Sequence, residues 1–182
     1  MEKFLLNSKE AVLLVIDIQD KLANIMKYKE QVIKSTNILI SASEEMNIPV
    51  LYTEQYPKGL GGTVQELKAR LENAKRFEKV TFSSYTEELR EELNAIDRKK
   101  VIITGMETHI CVFQTVRDLI SNGYQVFVVS DGVCSRTKEN YLNGLSLMES
   151  MGAVITNTET VIFDLLKKAG TPEFKVLSKL IK

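Results

Sequence analysis

The chain has one histidine, His109, two cysteines, Cys111 and Cys134, three prolines and no tryptophan in its 182 residues. A single histidine excludes a zinc site built from several imidazoles and any mechanism that uses His twice. Two cysteines cannot frame a disulfide scaffold, and a reducing compartment keeps both as thiols. Charge of one sign is missing too, because 24 Lys and Arg balance 24 Asp and Glu. No overall field exists to hold a nucleic-acid backbone or an anionic membrane, so neither is expected as a partner. No window approaches the roughly 20 apolar residues of a membrane span. The opening segment carries Glu2 and Glu10 and ends its apolar run at Asp17, unlike a secretory leader. A cytoplasmic location is expected.

What is present reads as one globular domain over residues 1–182, since 44% of the chain is apolar, enough to bury a sizeable core. Short β-branched runs recur at 11–16, 49–53, 100–104, 125–130 and 153–157, with a weaker candidate at 76–80. Continuous apolar character, in place of alternation, suits strands covered on both faces of a parallel sheet. Between the runs, residues 20–46 carry an apolar stripe at three-to-four spacing. Capping-box patterns start helices after Thr63 and Ser84, and helical patterns also fit 109–122, 137–151 and 158–181, the last interrupted at Gly170-Thr-Pro172. Pro57 to Gly62 reads as a mobile loop. Strand and helix alternating in this way predict an α/β fold: three layers, doubly wound, with a mostly parallel six-stranded sheet of Rossmann-like kind, helices on both faces and 76–80 at an edge.

In such a sheet ligands bind beyond the carboxyl ends of the strands, where strand order reverses. Asp17 ends the first run, and an acid after five or six buried apolar residues is costly unless paired or used. The alternative is a helix cap near Asp20. Cys111 follows the run at 100–104, at the first turn of a helix, where unpaired amides and the dipole favour thiolate and could hold an oxyanion. The alternative is an inert core thiol. Lys79 reaches the same sheet edge if 76–80 is a strand, and otherwise is a solvated lysine. His109, two residues from Cys111, would point away from it on a helix and reads as a loop or capping residue. Gly59, Gly61 and Gly62 give no dinucleotide fingerprint. Asp131 reads as a cap near Ser135 or Thr137, and Cys134 as a buried bystander.

Asp17 in LLVIDIQD, Lys79 in FEKVTFSSY and Cys111 in GMETHICV together resemble the isochorismatase-like cysteine hydrolases, in the family's order and over about residues 11 to 165. The resemblance implies a Cys-Asp-Lys triad, with Cys111 the nucleophile, Asp17 the general base and Lys79 the cation that stabilises thiolate and orients Asp17. It places an oxyanion hole at the amides of Glu107 and Cys111, with a cis peptide between Met106 and Glu107. Gln19, Gln55, Phe82 and Thr108 belong to the matching segments and would line a substrate pocket. The implied chemistry is hydrolysis of a C–N bond in a small amide through a thioester. Metal-dependent nicotinamidases resembling this chain carry an Asp-x-His motif after the second strand; LYTEQYPKGLGG has no histidine, so no metal and no cofactor are expected. Isochorismatases that cleave a vinyl ether lack the cysteine. The expected partners are a small-molecule substrate and further copies of the chain, as a dimer or larger. A non-catalytic oligomeric scaffold and a thiol redox protein, with Cys134 resolving an oxidised Cys111, are the competing functions.

Overall fold

The computed structural model describes residues 1–181. Six strands, β1 (Ala11–Ile16), β2 (Val50–Gln55), β3 (Lys75–Lys79), β4 (Lys100–Met106), β5 (Gln125–Cys134) and β6 (Val154–Thr156), form one sheet in the order β3-β2-β1-β4-β5-β6. Every pairing is parallel, so the antiparallel edge that a mostly parallel sheet allows is absent among the described residues. The strand order reverses between β1 and β4, and both chain segments leaving that point carry candidate site residues.

The helices are α1 (Asp20–Ala23), α2 (Lys29–Glu45), α3 (Pro57–Leu60), α4 (Gln65–Lys68), α5 (Glu87–Ile96), α6 (Phe113–Ser121), α7 (Lys138–Ser150), α8 (Thr158–Leu166) and α9 (Pro172–Leu177). A π-helical turn, Thr108–Val112, leads into α6. All six residues of β1 are buried. Ala11, Leu13 and Val15 enter a core cluster with α2 and α8, while Val12, Leu14 and Ile16 enter the opposite cluster with α5, α6 and α7. This two-sided burial is why β1 reads as an unbroken apolar run.

Local differences from the sequence reading have identifiable causes. The stripe over 20–46 is broken at 24–28 into α1 and α2. The segment 57–60, expected to be loop, forms the short helix α3. Thr63 does not cap a helix: its amide and hydroxyl both bond Glu54 Oε1 at 2.7 Å, holding the 56–63 segment onto β2. The cap of α5 is Thr86, whose hydroxyl accepts from the Leu89 amide, two residues beyond Ser84. Asp131 bonds the start of α8 and does not cap α7: its Oδ1 accepts from the Thr158 amide at 2.8 Å and hydroxyl at 2.9 Å, while Asn157 is the N-cap of α8 and Thr137 that of α7.

One glycine is required by the sheet itself. Gly105 lies at φ 146°, and a Cβ there would stand 2.2 Å from the Ile16 carbonyl oxygen. Its missing side chain lets β4 lie against β1 at their carboxyl ends, the place where the site is built.

Candidate active site

Asp17, Lys79 and Cys111, separated in sequence, converge beyond the carboxyl ends of β1, β3 and β4. Asp17 is fully buried at φ 51°, a left-handed conformation that turns the chain straight off β1 and that Asp tolerates better than branched residues. Its Oδ1 accepts from the Thr53 hydroxyl at 2.7 Å and its Oδ2 from Lys79 Nζ at 2.6 Å. The Cys111 thiol faces the same carboxylate closely enough for each group to shift the other's ionisation. Lys79 leaves the edge strand β3 and passes the end of β2, its side chain only 1% exposed. Besides Asp17 it donates to Gln55 Oε1 at 2.8 Å and to the carbonyl oxygens of Phe82 and Thr81 at 3.0 and 3.3 Å.

Around this centre the hydrogen bonds form a continuous path that the sequence reading missed. The buried Thr115 hydroxyl donates to the Cys111 carbonyl at 2.6 Å and accepts from the Ser84 amide at 2.8 Å. Ser84 Oγ lies 3.4 Å from Thr53 Oγ1, which returns the path to Asp17. Single Ser and Thr residues carry no pattern that would mark them in advance; they are found only when the four segments meet.

Burial governs the charges. Desolvation pushes the Asp17 carboxyl above its ordinary value, although Lys79 and the bonds from Lys79, Thr53 and Cys111 all act in the opposite sense. Desolvation, and then the Asp17 charge, push the Cys111 thiol up to about 12, against the pull of Lys79. This corrects the thiolate expected from a helix N-terminus: Cys111 is the fourth residue of the π-helical turn, facing a carboxylate, and its resting form is the neutral thiol.

The remaining candidates fall on different sides of the site. Gln55, Phe82, Glu107 and Cys111 line a cleft of about 110 Å³ with Leu22, Leu60 and Ile110. Gln19 is fully buried behind it, its amide clamping Gln55 N (2.7 Å), Gln55 O (3.0 Å) and Gly61 O (2.6 Å). Thr108 is fully buried and does not line the cleft. The peptide between Met106 and Glu107 is cis. The Glu107 carboxylate accepts from the Arg136 amide at 3.0 Å and from Arg136 Nε at 3.2 Å. His109 Nδ1 lies 2.9 Å from Ser135 Oγ, a loop partner and not the thiol. Cys134, also buried and free, is pushed up to about 12 by desolvation. A larger cleft of about 410 Å³ runs past Lys27, Cys134, Arg136 and Tyr141, and Cys111 is not part of its wall.

The isochorismatase domain matches residues 11–160, and the chain belongs to the isochorismatase family of hydrolases. A secreted isochorismatase effector, Isc1, of Phytophthora sojae (strain P6497) is 44% identical over 177 residues, covering 94% of this chain and 84% of the relative. Isochorismatase domain-containing protein 2 of Xenopus laevis is 37% identical over 177 residues, covering 97% and 85%. Among solved structures, one described as MAR1 ribonuclease from Caenorhabditis elegans superposes with a TM-score of 0.92 at 39% identity, covering 97% of this chain and 92% of that one.

Proposed function

We propose that the chain, over 1–182, is a cysteine hydrolase that cleaves the C–N bond of a small amide by a route needing no metal. The observation that carries this reading is the buried Asp17 carboxylate, whose Oδ2 holds Lys79 Nζ at 2.6 Å and which the Cys111 thiol faces. Nucleophile, base and orienting cation stand together in one buried cluster, the arrangement that nucleophilic catalysis requires. A non-catalytic scaffold gives no reason to bury such a pair.

In this mechanism Sγ attacks the carbonyl carbon as its proton passes to Asp17. The amides of Glu107 and Cys111 would receive the developing oxyanion. Collapse breaks the C–N bond, and Asp17 returns the proton to the departing nitrogen as ammonia or amine leaves. Water then attacks the thioester, giving a proton to Asp17, and the acid departs as the sulfur regains its proton. A thiol near 12 is a poor free nucleophile but a stable store for that proton until a carbonyl is in place. The same feature disfavours a redox pair, because Cys111 and Cys134 are both pushed up to about 12 and neither is poised as thiolate.

Among the described residues no helix is long and apolar enough to cross a membrane. Two free thiols suit a reducing compartment, and we place the enzyme in the cytoplasm as a homo-oligomer. The test is acid-quenched incubation with small amides followed by peptide mass analysis. An acyl group on Cys111, absent in Cys111→Ala together with ammonia release, is the expected result. Ammonia release undiminished in Cys111→Ala would refute the reading.

A further inference from the structure

We infer that the substrate is an uncharged amide with a short apolar acyl chain, a reading that rests on the hydrolase function proposed above. The cleft over Cys111 is open to solvent past Phe82 and has a volume of about 110 Å³. That is room for roughly four water-sized groups, and about a third of the smallest pockets that hold drug-sized ligands. Leu22, Leu60, Phe82 and Ile110 supply its apolar wall.

Each polar side chain that could meet a charged substrate is already matched. Gln55 turns its Oε1 to Lys79 and its Nε2 to the Val80 carbonyl at 2.9 Å. Glu107, the charged residue of the wall, is held by the Arg136 amide and Nε. Lys79 has four acceptors for three protons, namely Asp17, Gln55 and the Thr81 and Phe82 carbonyls. A substrate carboxylate or ammonium would therefore be desolvated against Leu22, Leu60 and Ile110 with no free counter-charge, which strongly disfavours binding. A methyl or ethyl group meets the same wall without penalty. The carbonyl alone needs polar contacts, and those come from the backbone at 107–111.

Phe82 sets the length limit, because it is 55% exposed, lines the cleft from the solvent side and can be trimmed without opening the core. The test compares kcat/KM for ammonia release from propionamide, isobutyramide, benzamide, succinamate and glycinamide, with acyl adducts on Cys111 scored by mass for each. The two short neutral amides are expected to exceed the charged pair and benzamide by tenfold or more. Phe82→Ala, its fold checked by thermal melting, is expected to raise benzamide turnover by about tenfold, the scale of one or two methylenes of pocket space. Succinamate or glycinamide acylating Cys111 as fast as propionamide would overturn the substrate class while leaving the hydrolase reading intact. No adduct on Cys111 from any of the five would overturn both.

Discussion

Replacing Lys79 with Met tests the electrostatic core of the site through stability, independently of any substrate. The Lys79–Asp17 pair spans 2.6 Å with side chains 1% and 0% exposed. Removing one partner of a buried pair leaves an uncompensated charge and costs about 3–5 kcal/mol. For a chain of this length that corresponds to a fall in Tm of roughly 6–20 °C. The pH dependence gives the sharper signature. The folded-state pKa of Asp17 is already raised by burial, so its protonated form favours folding; that contribution is complete below the ordinary carboxyl range and is lost as pH rises through the folded value. Lys79→Met removes the main opposing influence and raises the value further. The deficit relative to wild type should therefore be smaller at pH 5 and larger at pH 8, by urea denaturation at each. Adding Asp17→Asn should recover part of the loss at pH 8, because no buried carboxylate remains to ionise. A deficit under about 1 kcal/mol, equal at both pH values and unmoved by the second substitution, would show that Lys79 does not compensate a buried Asp17 charge.

Asp17→Asn alone should lower the pKa of Cys111 below about 12, since the carboxylate that opposes thiolate is gone while Lys79 stays; alkylation rate against pH in a Cys134→Ser background measures it, and an unchanged profile would contradict the contact. Thr115→Val should cost about 1–3 kcal/mol by leaving the Ser84 amide buried without its partner, as measured by urea denaturation. Catalysis should fall with it, as the Cys111 turn loses its tie to the 81–84 segment.

The sheet was legible because β1, β4 and β5 are buried on both faces and so are written as apolar runs. β3 was faint for a matching reason: at the edge of the sheet only Phe77 and Lys79 of Lys75–Lys79 are buried, and the second of these is a lysine. Asp17 and Cys111 stood out as polar residues at strand ends, and Lys79 through the resemblance of its segment. Thr53, Ser84 and Thr115 did not, because a hydroxyl has the same local sequence whether it bridges two loops or faces water. The ionisation of Cys111 was misread because the helix-terminus argument counts the backbone dipole alone, whereas burial and Asp17 come from the tertiary fold. The wall residues Leu22 and Leu60 follow from where α1 and α3 end, which no periodicity specifies.

Lys79 belongs to an edge strand that is zipped to β2 on one side and, among the described residues, has no ladder on the other. Edge segments of this kind open in excursions less costly than global unfolding. Such an opening at 75–79 would withdraw the ammonium while β1 and β4 kept Asp17 and Cys111 in place. Under the proposed mechanism, catalytic competence is then a population carried by one hydrogen-bonded seam, and amide exchange along Lys75–Lys79 reads that population.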